Sequence, residues 1–147
     1  MPEKIRFTPE ELSLMHLFQS ISGATVRDCI IDSKMNRVIF VINKGEMGLA
    51  IGRNGVIIKN LQKLVGKSVD LVEFSDDPKE LIRNSLNNRY ITDIRLTERV
   101  DGSKIAVVVV DQKGKSAVIG KGGRNAEKAR LLAKRYFNIS NVHIVSQ

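Results

Sequence analysis

The 147-residue chain has one cysteine, no tryptophan, three prolines, five phenylalanines and two tyrosines. A lone Cys29 closes no internal disulfide and holds no metal by itself. That excludes a disulfide-stapled secreted scaffold and a zinc module, and it points to a reducing, cytoplasmic setting. The longest uninterrupted apolar run, Ile105 to Val110, has six residues, whereas a membrane span needs about 20. Lys4 and Arg6 lead into no apolar core of signal-peptide type. The aromatics Phe7, Phe18, Phe40, Phe74, Tyr90, Tyr136 and Phe137 are scattered, which argues against a stacking platform for bases. His16 and His143 have no nearby cysteine or acidic partner in the sequence. No catalytic residue, metal site, cofactor or small-molecule substrate is therefore expected.

Charge is what the chain has in excess. Twenty-four Lys and Arg against sixteen Asp and Glu give a net +8 and a pI near 9.8, the balance of a protein that meets a polyanion. Residues 1–75 hold ten basic and eight acidic groups, residues 76–147 fourteen and eight. Segment 113–135 alone carries eight basic residues and one acid, Glu127. A charge run is often no more than a solvated helix face, so its position matters more than its size.

That position is set by an internal repeat. Ile51-Gly52-Arg53-Asn54-Gly55 recurs 68 residues later as Ile119-Gly120-Lys121-Gly122-Gly123. At the same offset Val38 to Asn43 faces Ala106 to Asp111, and Thr8-Pro9-Glu10-Glu11-Leu12 resembles Asp77-Pro78-Lys79-Glu80-Leu81. Three matches in one order describe two copies of a single unit, which we place at residues 1–75 and 76–147. Thr8 and Asp77 read as helix N-caps, with proline at the first helical position and glutamate completing a capping box. Leu12, Met15, Leu17, Phe18 and Ile21 then form an apolar helical face that ends at Gly23. Thr25 to Ile31 and Arg37 to Ile42 read as strands joined by a polar turn at 32–36. Ile91 to Val100 and Ile105 to Val110 flank the hairpin signal Asp101-Gly102. A short helix, the glycine loop, a longer helix and a last strand (Val69 to Phe74, Val142 to Val145) complete each copy. The fold class is α+β: two α-β-β-α-α-β units, each with a three-stranded sheet covered by helices.

Two glycines flanking two free positions between helices let bare backbone amides approach a ligand. The following helix aims its positive end at the same point. Arg53 and Lys121 add full charges at matching positions, and Lys59, Lys115, Arg124 and Lys128 extend them. The apolar stretches Leu49-Ala50-Ile51 and Ala117-Val118-Ile119 precede the loops, placing a greasy wall beside a charged lip. Gly66-Lys67-Ser68 and Gly114-Lys115-Ser116 imitate the end of a nucleotide P-loop. The glycine that motif requires five residues earlier is replaced by Leu61 and Val109.

Ile-Gly-x-x-Gly between two helices, after a hairpin and before a strand, resembles the GXXG loop of a KH domain. The element order is similar to the type II variant, and two copies without a linker resemble the tandem KH module of the NusA family over residues 8–145. That resemblance implies recognition of single-stranded RNA, each loop clamping about four nucleotides of backbone. Carried over by position, the RNA-binding residues are Gly52, Arg53, Asn54 and Gly55 in the first loop and Gly120, Lys121, Gly122 and Gly123 in the second. Lys59, Lys115, Ile119, Arg124 and Lys128 lie around them. The resemblance also implies a role in transcript elongation and termination, with RNA polymerase or the elongation complex as protein partner. Bacterial NusA carries an N-terminal polymerase-binding domain and an S1 domain, for which this sequence shows no counterpart. Two other readings stay open: a KH protein that grips ribosomal RNA on the ribosome, and a protein-interaction adaptor.

Overall fold

A computed structural model of the chain describes residues 5–86 and 88–147. The chain divides into two compact units that part between Phe74 and Ser75. The first contains α1 (Pro9–Ser22), β1 (Val26–Asp32), β2 (Arg37–Ile42), α2 (Met47–Ile51), α3 (Val56–Val65) and β3 (Ser68–Glu73). The second repeats the order with α4 (Pro78–Ser85), β4 (Ile91–Glu98), β5 (Lys104–Val110), α5 (Lys115–Ile119), α6 (Arg124–Phe137) and β6 (Ile139–Ser146). Each sheet has three strands in the order β1-β2-β3 or β4-β5-β6. The first pair is antiparallel and the second parallel. A parallel partner cannot follow by a tight turn, so the helix pair and its glycine loop form the crossover in both units.

Local chemistry sets the boundaries. The Thr8 hydroxyl accepts from Glu11 N–H at 3.2 Å, and Thr8 N–H donates to the Glu11 carboxylate at 2.7 Å, the reciprocal box that satisfies two orphan amides. Asp77 caps α4 through Lys79 N–H at 3.2 Å. Gly23 ends α1 with φ 75°, and Asn138, at φ 55°, ends α6 in the left-handed region where glycine is usual. The second hairpin closes with Arg99 N–H on Ser103 O at 2.7 Å and Asp101 accepting from Ser103 N–H at 2.9 Å.

The helices of each unit pack on a face of its own sheet. In the first, Phe18 of α1 meets Phe40 of β2 edge-to-face at 4.9 Å, with Val38, Ile42, Ala50, Leu61 and Val69 closing the core around them. Burying a side chain such as Phe18 contributes about 2–3 kcal/mol. In the second, Ile82, Ile94, Val108, Val118, Ala129 and Val142 do the same work. Leu12, which the helical spacing places on the apolar face of α1, is 44% exposed near the start of the helix. Charge is buried as well. Arg37 is fully buried and bridges Asp32 and Asp70, each at 2.8 Å, across all three strands of the first sheet.

Candidate nucleic-acid interface

Both glycine loops have the same backbone. Gly52 sits at φ 78°, ψ 169° and Gly120 at 83°, 162°. Asn54 at 56°, 25° matches Gly122 at 65°, 16°, and Gly55 at 74°, 17° matches Gly123 at 81°, 15°. Gly52 and Gly120 occupy a region essentially restricted to glycine. Their neighbours add a second reason: a Cβ at Gly52 would lie 2.3 Å from Ile57 Cγ1, and one at Gly120 would lie 3.0 Å from the Asn125 side chain and backbone N. The first glycine of each loop is therefore needed to bring two helices together. The later positions are the open ones, since a Cβ at Gly122 or Gly123 would meet nothing within 4 Å.

The amides of the outer glycines are engaged alike in both loops. Gly52 N–H donates to Gly48 O and Gly55 N–H to Gly52 O, while Gly120 and Gly123 repeat the pattern onto Ser116 O and Gly120 O. The helices that follow, α3 and α6, begin without a side-chain cap. An uncapped positive helix end thus opens at each loop, which favours an anion there.

The side chains singled out from sequence fall into three groups. Arg53, Asn54, Lys59, Lys121 and Gly122 stand exposed. Lys115, Ile119 and Gly120 join Gln112, Ser116 and Ser146 around a cleft of about 490 Å³ beside the second loop, with half-buried Arg124 at the start of α6. Lys128 is only 9% exposed, because the helical turn that carries it faces inward with Ala129 and Leu132, and it is not brought to the open lip.

The apolar walls differ between copies. Leu49, Ile51 and Val56 flank the first loop at 52%, 38% and 49% exposure, while buried Ala50 anchors α2 beneath them. At the matching positions the second loop has Ala117, half-buried Ile119 and Arg124. At these three positions the first loop is flanked by hydrocarbon alone, whereas the second has a charge at Arg124. Sequence reasoning missed Asn125, whose amide donates to Ala117 O at 3.4 Å and braces α5 against α6. Its counterpart is Ile57, so the signal was a polar residue at an apolar position of the repeat. Glu46, just before α2, is held below the usual carboxylate range by the Asn43 amide and then by Thr25 N–H. No group of three or more His, Cys, Asp or Glu suited to a metal ion occurs among the described residues.

Comparison with known proteins agrees with this architecture. Residues 15–76 match the KH domain family and residues 78–147 match the NusA-like second KH domain. The chain is similar to the probable transcription termination protein NusA of Methanocaldococcus jannaschii, with 32% identity over 97% of this chain and 76% of that one. The protein of the same description from Halococcus morrhuae is 32% identical over 95% of this chain and 99% of its own length. Among solved structures, the crystal structure of APE1850 is similar with a TM-score of 0.85 and 40% identity, covering 95% of this chain and all of that one. With one KH match in each half and relatives aligned along nearly its whole length, the chain belongs to the NusA-like family of tandem KH-domain proteins.

Proposed function

We propose that the protein is a single-stranded RNA-binding factor of transcript elongation and termination, without catalytic activity of its own, acting in the cytoplasm beside RNA polymerase. The boundary between its two binding units falls near residue 75 of the chain. In each, the phosphates of the strand lie against the loop: Gly52 to Gly55 with Arg53 and Lys59, and Gly120 to Gly123 with Lys121, Arg124 and Lys115. The bases lie against Leu49, Ile51 and Val56 in one unit and the cleft at Ile119 in the other. The observation that carries this reading is the matched conformation of the two loops. Each stands at the start of a helix that has no side-chain cap and carries one exposed cation between its glycines.

Duplex RNA offers its phosphates but not splayed bases, so a single strand should bind more tightly than the same sequence in a duplex. Affinity should fall with salt by about 0.7 log units per log unit for each phosphate contacted on a single strand. Titration of a labelled oligonucleotide at several salt concentrations tests both points. Binding that ignores salt, or that prefers the duplex, would refute the proposal.

A further inference from the structure

The short helix before each glycine loop is tied to the start of its own sheet through one pair of positions, and the two units fill that pair with opposite chemistry. The pair is Thr25 with Glu46 in the first unit and Tyr90 with Gly114 in the second. Glu46 and Gly114 are 68 residues apart, the offset of the repeat, and stand as N-caps of α2 and α5. Thr25 and Tyr90 each precede the first strand of their sheet by one residue. The backbone around them is alike. Asn43 N–H donates to Thr25 O at 3.0 Å and Glu46 N–H to Asn43 O at 3.1 Å. Asp111 and Gly114 repeat both bonds at 2.9 Å, onto Tyr90 O and Asp111 O. Glu46 has φ −113°, ψ 10° and Gly114 −105°, 2°. With φ negative this corner does not itself demand glycine, and Glu46 shows that it takes a side chain.

What differs is the contact. In the first unit the Glu46 carboxylate accepts from Thr25 N–H at 2.9 Å and from the Asn43 amide at 2.6 Å, a charge-assisted clamp. In the second, a Cβ placed on Gly114 would fall on Cβ, Cγ and Cδ1 of Tyr90, whose ring packs against the core of that unit. Glycine is needed at this position because the ring fills the space. α2 and α5 have five residues each, about 7.5 Å of helix, too short to hold a direction unaided. Their buried residues, Ala50 and Val118, anchor them two positions before the loop glycine, and the pair of contacts holds the other end. With that end released, the helix pivots on its anchor and swings Gly52 or Gly120 at its C-cap. Resting on the RNA reading above, we propose that Glu46 and Tyr90 are positioning residues for the RNA site. Each locks the short helix of its unit, and so the glycine loop, in the orientation that receives the strand. One does so by a carboxylate clamp, the other by a ring seated on glycine, and neither needs to touch the RNA.

The test uses the full chain and a labelled single-stranded RNA of about twenty nucleotides, at a temperature where melting curves show every variant folded. Glu46→Gly and Thr25→Tyr each lower affinity about tenfold, the scale of one charge-assisted hydrogen bond. Thr25→Tyr together with Glu46→Gly copies the second unit's pair into the first and returns affinity to within about threefold of wild type. In amide NMR spectra of the protein without RNA, the Arg53 to Gly55 resonances shift in both single variants and return in the double one. A contact that only stabilised the unit would move the melting curves and leave the folded loop's resonances in place. In the second unit Tyr90→Phe, which keeps the ring on Gly114, binds as wild type, while Tyr90→Ala loses affinity and displaces the Lys121 to Gly123 resonances. This second arm decides the matter if the grafted pair fails to fold. Loop resonances unmoved in the folded single variants, or a folded double variant as weak as they are, would overturn the proposal and leave the RNA reading standing. So would a Tyr90→Phe variant as weak as Tyr90→Ala. If wild type binds no single-stranded RNA at low salt, the RNA reading falls and takes this proposal with it.

Discussion

Replacing Lys121 and Gly122 together by aspartate puts two carboxylates where the second loop would hold a phosphate. Both positions are exposed, so the interactions are those of a wet surface, about 1 kcal/mol per pair of unit charges at 4 Å. One attraction is lost and two repulsions are gained. The penalty is about 3 kcal/mol, or roughly a hundredfold in affinity. The substitution should leave the fold intact, for a reason found in the other half of the chain. Gly122 has φ 65°, ψ 16°, and Asn54 occupies the equivalent place at 56°, 25°, so this corner already accepts a side chain of the same shape. A Cβ at Gly122 meets no atom within 4 Å, and aspartate tolerates the left-handed region at a cost on the order of 1 kcal/mol. The assay pairs fluorescence anisotropy of a labelled single-stranded RNA with a thermal melt. The variant should melt within a few degrees of wild type, and whatever affinity remains should belong to the first loop. Lys121→Gln, which alters no backbone constraint, should weaken binding in the same direction by a smaller factor. A folded double variant that binds within threefold of wild type would remove the second loop from the interface.

Gly52→Ala should destabilise the first unit by about 2–4 kcal/mol, since the methyl would overlap Ile57 on a backbone that side chains rarely adopt. Urea unfolding measures this, and an unchanged midpoint would show that the corner relaxes freely. Arg37→Met leaves Asp32 and Asp70 without their shared cation, which should cost about 3–5 kcal/mol. Adding Asp32→Asn and Asp70→Asn should recover part of the loss in the same unfolding assay, and no recovery would contradict the charge argument. Glu46→Gln should lower stability near neutral pH. The Asn43 amide and Thr25 N–H depress the wild-type carboxyl below its ordinary 4.5, so its contribution is present above that value and lost as pH falls through the depressed one. Melts of both proteins at neutral and strongly acid pH should therefore converge in acid, and a constant difference would exclude the mechanism.

Much of the candidate interface was legible in the sequence because its signals are local. A cap, a proline at the first helical position or a glycine in the left-handed region constrains dihedrals within four or five residues, and the 68-residue repeat shows each such signal twice. Thr8 with Glu11, Gly23, Asp101-Gly102 and both glycine loops were readable on that ground, as were the order of elements and the α+β class. What glycine does within the loops was less legible. The first glycine of each is demanded by helix packing against Ile57 or Asn125, while the open positions come later.

Side-chain environments were settled by tertiary structure, because they depend on elements far apart in the chain. Lys128 looks like any other cation of a basic helix until α6 docks and turns it inward. Leu12 belongs to an apolar pattern, yet 44% of it stays exposed. Arg37 reads as an ordinary charged residue at a strand start. Only when β2 lies parallel to β3 does Asp70, 33 residues away, come within 2.8 Å. Sequence alone specified the backbone corners and the sign of the charge; the register of the sheets and the docking of the helices chose which of those charges water, or a ligand, can reach.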